Sequence, residues 1–262
     1  MRRTNSEDMA TYRKKASKPR TKEEKTEAIE QNSTTAEVFN TLDDKATRTE
    51  EWAVKNQNTI MIAVSAVVLL VLGYLGYNKF VAEPKAGEAM NEMFQAQQYF
   101  DQAVAGTAKD SLYTLALNGG NGKFGMVDIA QEYSGTPAGN LANYYAGMAY
   151  LNLKDYQNAV KYLGEFSSDD MMLGPIAKGG IGDAFMQLNQ PEEALDYYNQ
   201  AASMKTNDYT TPMYLFKAAN VAMKLGKTQN ALDNYKKIKE EFPNSAEASS
   251  IDVFIGKAEA SL

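Results

Sequence analysis

Residues 144–163 read YYAGMAYLNLKDYQNAVKYL, and this stretch decides the fold because two later stretches repeat its pattern. Residues 179–201 read GGIGDAFMQLNQPEEALDYYNQA, and residues 218–243 read AANVAMKLGKTQNALDNYKKIKEEFP. Gly147 and Gly182 hold the same place in the first two copies, 35 residues apart, and the third copy follows the second at a spacing of 37. Small and aromatic residues that recur at such a period predict a stack of helical hairpins.

The small and large residues of the pattern have different packing roles. The first helix of each hairpin carries a small residue where it meets its partner: Gly147, Gly182 and Ala219. The second helix carries a matching alanine: Ala159, Ala194 and Ala231. Larger side chains are expected to fill the space between neighbouring hairpins: Tyr150, Leu163, Phe185, Tyr198 and Tyr235. Close helix approach at small residues, with larger ones between units, is how repeat proteins build a continuous core.

At these offsets the sequence resembles the tetratricopeptide-repeat family over about residues 138–244. The resemblance implies an all-α solenoid of helical hairpins that binds other proteins. The domain is expected to span 81–262, with hairpins at about 87–134, 140–173, 175–208 and 212–244 and a capping helix at 245–261.

The first of these hairpins departs from the pattern. Its first helix is expected to carry an apolar stripe through Met90, Phe94, Gln97, Tyr99 and Phe100. An excursion, TAKDSLYTLALNGGNGK, interrupts the hairpin, and its Asn and Gly cluster predicts a turn-rich loop over 118–122.

An uncharged stretch lies before the repeats. Residues 60–77 read IMIAVSAVVLLVLGYLGY and predict a single transmembrane anchor over about 56–80, because 18 apolar residues in a helix approach the thickness of a bilayer. Trp52, Tyr74, Tyr77 and Phe80 stand where interfacial aromatics are expected. A buried core helix is the weaker alternative, and a cleaved signal peptide fits poorly because a highly polar stretch of 55 residues comes first.

The N-terminal tail, residues 1–55, carries 12 Lys and Arg and 11 Asp and Glu but few large apolar side chains, so it is expected to be largely disordered. Its end, about 35–55, predicts either a short juxtamembrane helix or a solvated spacer. Basic residues near a span tend to remain in the cytoplasm. The tail is therefore placed inside and the repeat domain outside.

Composition argues against an enzyme. The chain contains no Cys and no His, which removes thiolate chemistry, the usual neutral-pH base and the commonest transition-metal ligand. No catalytic, cofactor-binding or metal-binding residue is therefore predicted. The part after the span holds 15 basic and 22 acidic residues, a balance that disfavours nucleic acid as a partner.

The resemblance to tetratricopeptide proteins implies that the first helices line a concave surface that receives a partner. The side chains expected there, called the predicted groove below, are Leu141, Tyr144, Met148, Leu151, Ile176, Asp183, Met186, Met213, Phe216, Asn220 and Met223. Met-rich surfaces adapt to varied apolar segments. A stripe of Met and aromatic residues at helical spacing is also typical of packed core, and this alternative stays open.

A basic tail, one span and an exported repeat domain together resemble the YfgM-like ancillary subunit family of the bacterial SecYEG translocon. The stretches GYNKFVAEPKAGEAMNEMFQAQQYF and YSGTPAGNLANYYAGMAYLNL carry the resemblance. It implies an inner-membrane protein with a periplasmic domain that acts as an accessory chaperone beside the translocon, a periplasmic chaperone and emerging clients. The alternative is a scaffold that binds one folded partner in an envelope assembly or cell-division complex.

Overall fold

The computed structural model describes residues 47, 49–106 and 109–262, and the regular elements in these ranges are helical. A π-helical turn (Asn78–Ala82) and a 3-10 turn (Glu247–Ser250) occur among the α-helices. The α-helices are α1 (Gln57–Tyr77), α2 (Glu83–Ala105), α3 (Lys109–Asn118), α4 (Met126–Glu132), α5 (Pro137–Asn152), α6 (Tyr156–Glu165), α7 (Leu173–Gln187), α8 (Pro191–Met204), α9 (Thr210–Lys224), α10 (Thr228–Glu241) and α11 (Ile251–Glu259). The described ranges contain no strand, only an isolated bridge between Gly120 and Lys123. The all-α prediction is confirmed.

The chain divides into two compact units after Tyr74. In the first unit, residues 49–55 are helical and α1 begins at Gln57. α1 buries none of its residues against the protein, and it is the helix in the described part of the chain that is long and apolar enough to cross a membrane. The tail before residue 47, with its predicted disorder, lies outside the described residues.

Three hairpins in the second unit, α5–α6, α7–α8 and α9–α10, turn in the same way. Lys154, Asn189 and Gly226 occupy equivalent turn positions with φ of 67°, 57° and 71°. The following residue donates its backbone N–H to a carbonyl five residues earlier, at 2.9 Å in all three hairpins, as from Asp155 to Tyr150. This left-handed turn with a closing bond satisfies the last carbonyls of the first helix. The three hairpins therefore share one turn geometry.

The small residues allow the close approach that the sequence predicts. A Cβ on Gly147 would lie 2.5 Å from the Leu163 side chain, and one on Gly182 would lie 2.6 Å from the Tyr198 ring, each in the partner helix of the same hairpin. Two neighbouring glycines serve other contacts: Gly179 lies under Tyr214 of the next hairpin, and Gly180 faces Leu163 of the previous one. α7 thus contacts three helices through glycine.

Some aromatic residues stack between neighbouring hairpins, and others stack inside one hairpin. Tyr198 stacks on Tyr214 across a hairpin boundary, with ring centroids 6.3 Å apart, as predicted for a residue between repeats. Tyr150 instead stacks on Tyr162, and Phe185 on Tyr197, each inside its own hairpin. These two rings therefore have an aromatic partner on the second helix of their own hairpin, a contact that the sequence pattern does not predict.

The divergent region differs from its prediction in two ways. The excursion contains the helix α3, which buries Tyr113, Ala116 and Leu117, and the turn-rich loop follows it. α2 buries a face made of Ala89, Met93, Ala96, Phe100 and Ala103. Met90 and Phe94, predicted for the apolar stripe, are 54% and 62% exposed because the alanine-rich face one step round the helix packs more closely.

The C-terminal end of the stack is covered by α11. Ile251 and Ala258 are buried against the last hairpin, and Phe254 packs edge-on against Phe216 at 4.8 Å between ring centroids. Ion pairs from Lys236 to Glu259 and from Lys239 to Asp252 add surface contacts between α10 and α11. This arrangement is the capping function that the sequence predicts for the last helix.

We predict that Gly179→Ala destabilises the domain by about 1–3 kcal/mol, because the added methyl group would overlap the Tyr214 ring. Chemical denaturation of the purified protein measures the change. Gly256→Ala is the matched control, since a Cβ there has no neighbour within 4 Å. That substitution should stabilise by about 0.5–1 kcal/mol. Equal effects at both glycines would contradict the packing role of Gly179.

Candidate functional site

The eleven residues of the predicted groove share one property: each is partly buried. All lie on α5, α7 or α9, the first helices of the three hairpins. A partly buried side chain contacts the protein on one side and leaves surface on its other side that a ligand can contact.

Seven of the eleven pack against the hydrophobic core along one side. They are Leu141, Tyr144, Met148, Met186, Met213, Phe216 and Met223. Tyr144 also contacts the Phe166 ring at 5.2 Å, and Phe216 contacts Tyr235 and Phe254. Truncating Tyr144 or Phe216 would therefore remove core contacts as well as groove surface.

The two polar members, Asp183 and Asn220, accept equivalent hydrogen bonds. The Tyr198 hydroxyl donates to Asp183 Oδ1 at 2.6 Å, and the Tyr235 hydroxyl donates to Asn220 Oδ1 at 2.8 Å. Each tyrosine follows its acceptor by 15 residues on the second helix of the same hairpin. In the first hairpin the equivalent pair is Met148 and Leu163, so this bond is absent there.

Lys217 completes a polar cluster between the second and third hairpins. Its Nζ lies 2.7 Å from Asp183 Oδ1 and 2.8 Å from Asp183 Oδ2. It also lies over the rings of Tyr198 and Tyr214, 5.5 Å and 5.8 Å from their centroids. Because both charged side chains are more than a third exposed, solvent screening keeps the ion pair modest in energy. The ion pair links α7 to α9 and places a positive charge beside the Asp183 carboxylate.

The phenols of this cluster are held in their neutral form. Burial, followed by the hydrogen bond and charge of Asp183, raises the pKa of Tyr198 far above its ordinary value of about 10. Burial and then the Asp183 charge raise the pKa of Tyr214 in the same direction. The cluster therefore presents neutral hydroxyl groups at physiological pH, and a phenolate nucleophile is disfavoured.

Leu151 and Ile176 differ from the other groove residues. Both are partly buried, yet neither is among the residues that form or pack against a hydrophobic core cluster. They are the two predicted positions whose surface is least committed to the fold. Substitutions there test ligand binding with the smallest cost in stability.

Sequence reasoning missed Lys217 and Tyr214. A cation in the middle of an otherwise apolar first helix, 34 residues after Asp183, was the available signal, because one repeat length brings equivalent helices side by side. Tyr214 could have been found from Gly179, since a glycine inside a helix often marks the close approach of a neighbour.

The described residues contain no group of three or more Asp and Glu side chains placed to hold a metal ion. The polar groups of the cluster are instead paired with one another. What the surface offers is apolar and aromatic area with neutral hydrogen-bonding groups, the composition of a site that binds protein.

Comparison with known families identifies the repeat. Models of the tetratricopeptide repeat match residues 141–169 and 214–245, and a further model of that repeat matches 177–208. These segments correspond to the three hairpins that share the same turn. A search of curated proteins gave no match. The chain thus contains tetratricopeptide repeats, which are modules for protein–protein interaction.

We predict that alkaline pH destabilises the domain through Tyr198. Its folded pKa is raised, so its contribution is fully present below about pH 10 and is lost as the pH rises above that value, where the unfolded chain ionises. Urea midpoints at pH 8 and pH 11 measure the loss, and Tyr198→Phe should make it smaller. An identical loss in the wild type and the variant would contradict the assignment.

Proposed function

We propose that this chain is a non-enzymatic, membrane-anchored interaction protein whose predicted groove receives apolar segments of envelope or secreted proteins at the Sec translocon. In this role it acts as an accessory chaperone in the bacterial inner membrane, with its repeat domain in the periplasm. The observation that carries the proposal is a set of partly buried Met, Leu, Ile and aromatic side chains on three successive first helices, in a domain made of interaction repeats.

The chemistry of the groove suits changing apolar partners. Met148, Met186, Met213 and Met223 are distributed over all three first helices. Unbranched thioethers change rotamer at low cost, so such a surface fits side chains of different shape. Asp183 is already paired with Lys217, so an apolar segment does not have to desolvate an isolated charge there.

The anchor is supported by α1. Its residues are uncharged and none is buried by the protein, so a soluble form would expose a long apolar surface to water. A bilayer removes that cost, since each apolar side chain transfers favourably into hydrocarbon. The layout of basic tail, span and repeat domain supports the translocon assignment through the resemblance given above.

A scaffold for one folded partner in an envelope complex is the second candidate. The acidic balance of the part after the span favours it, because a complementary basic surface would give fast and selective docking. The two functions differ in the number and folding state of the proteins that occupy the groove.

Photocrosslinking in cells distinguishes these functions. A photoreactive residue at Leu151 or Ile176 of the full-length protein should give adducts with translocon subunits and with many newly exported proteins. The same residue at Val253, which is 73% exposed on the cap, is the control and should give few of these adducts. Leu151→Asp combined with the probe at Ile176 should reduce client adducts while the helical circular dichroism signal is unchanged.

A single stoichiometric adduct without exported chains would overturn the chaperone function and favour the scaffold. Equal client adducts from Val253 and Ile176 would overturn the assignment of the groove. The two outcomes are separable because the first concerns the identity of the partner and the second concerns its place on the domain.

Topology is tested separately. The chain lacks cysteine, so a single introduced cysteine reports its own side of the membrane. A membrane-impermeant maleimide applied to spheroplasts should label Ser203→Cys, in the repeat domain, and should label Ser6→Cys only after the membrane is opened. The reverse pattern would place the repeat domain in the cytoplasm and would exclude a periplasmic role.

A further inference from the structure

Methionine side chains carry all the sulfur of this chain, because its sequence contains no cysteine. Methionine is oxidised to its sulfoxide according to its exposure, and no thiol of this chain competes for the oxidant. Three methionines of the predicted groove lie on α7 and α9 and are called the groove methionines below: Met186, Met213 and Met223. Each is partly buried and packs against the core cluster that contains Tyr235. All three thus combine a contact with the fold and a surface that a small oxidant can reach.

The first hairpin shows that these positions do not require sulfur. Leu151 holds the position of Met186 and Met223, since the copies follow one another at spacings of 35 and 37 residues. By the same spacings, Leu141 holds the position of Met213. Leucine and methionine are interchangeable in volume and apolar character at most sites. What methionine adds on α7 and α9 is therefore an adaptable side chain and a sulfur atom that can be oxidised.

Met148 also belongs to the predicted groove but has different surroundings. A Cβ built on Gly180 of α7 would lie 3.6 Å from the Met148 sulfur atom. The sulfur therefore lies in the contact between α5 and α7, where the neighbouring helix covers it. The accessible thioethers of the groove are accordingly those of the second and third hairpins.

A sulfoxide in the groove would add a strong hydrogen-bond acceptor to a surface whose described donors are already engaged. The Tyr198 hydroxyl and the Lys217 ammonium group both donate to Asp183. The Tyr235 hydroxyl donates to Asn220. The sulfoxide oxygen is then hydrated by water, and an apolar segment that covers it removes this water without supplying a donor. Burial of a polar group without a partner is unfavourable, so oxidation opposes binding.

We propose that the groove methionines are an oxidation site, through which two-electron oxidants such as hypochlorous acid lower the affinity of the groove for apolar segments. This regulation rests on the proposed function, because it acts on the same groove. In the net reaction the sulfur gains one oxygen and loses two electrons, and hypochlorous acid accepts these electrons and leaves as chloride and a proton. A methionine sulfoxide reductase reverses the change.

Mass spectrometry of the full-length protein in mild detergent, after limited treatment with hypochlorous acid, tests the site. The three groove methionines should carry an added oxygen several-fold more often than Met93 and Met126, which are 2% and 0% exposed. Circular dichroism should show that the oxidised protein keeps its helices. Protection of the groove methionines equal to that of the two buried ones would overturn the proposal.

The effect on binding is measured with a fluorescein-labelled peptide built of Leu, Phe and Ser. Oxidation should weaken binding to the wild type roughly tenfold or more, because a covered sulfoxide leaves an unpaired acceptor. Treatment with a methionine sulfoxide reductase should restore the affinity. A variant that carries Met186→Leu, Met213→Leu and Met223→Leu should bind the peptide and keep its affinity after oxidation, as the leucines of the first hairpin indicate.

The matched control carries Met90→Leu and Met171→Leu, at positions outside the groove that are 54% and 56% exposed. This control should lose affinity on oxidation as the wild type does, because its groove is unchanged. Three results would each overturn the proposal: an unchanged affinity of the oxidised wild type, an equal loss in the triple leucine variant, or a loss that accompanies unfolding.

Failure of the proposed function would give a different result. If the untreated protein does not bind the peptide, the proposed function fails at the groove, and its regulation fails with it. If the untreated protein binds and oxidation of the groove methionines leaves the affinity unchanged, the proposed function stands and the regulation alone fails.

Discussion

The close approach of α7 to its three neighbours is the constraint on which the rest of the domain depends. Gly179, Gly180 and Gly182 receive Tyr214, Leu163 and Tyr198, which belong to three different helices. Three glycines in one helix interior oppose helix formation by about 0.5–1 kcal/mol each. The packing of two tyrosines and a leucine offsets that cost through burial of large apolar area. The same residues fix the rotation of α7, and hence which of its side chains are left for a ligand.

That rotation explains the divided character of the groove residues. A first helix contacts the second helix of its own hairpin and both neighbouring hairpins, so little of its surface is free of protein contacts. Its outward side chains therefore pack against the core on one side and face solvent on the other. Met186 and Met213 are examples, each partly buried and each packed on the cluster around Tyr235. Core and groove are therefore not exclusive alternatives for these side chains. A ligand would bind to the outer side of residues whose inner side holds the domain together.

The regular part of the chain could be predicted from sequence because its signals are local and repeated. Gly147, Ala159 and their equivalents specify a hairpin by spacing alone, and the structure places them in close contact as expected. α3 was missed because its helix is stabilised by burial of Tyr113 and Leu117 in a cluster that includes Phe100 of α2, and periodicity over ten residues does not reveal that packing. Lys217 was missed because its partner is one whole repeat away. Long-range pairing between charged groups leaves no local pattern.

The register of α2 shows how structure extends the repeat beyond what sequence can recognise. Its equivalence to the later first helices rests on one hydrogen bond, from Gln97 to Tyr145, that occupies the place of the Asp183 and Lys217 pair. The partners differ chemically in every hairpin: an amide with a phenol, a thioether with a glycine, and a carboxylate with an ammonium. What stays the same from one hairpin to the next is the position at which successive first helices touch. A solenoid propagates by that position, and on α2 the residue that holds it, Phe94, is 62% exposed.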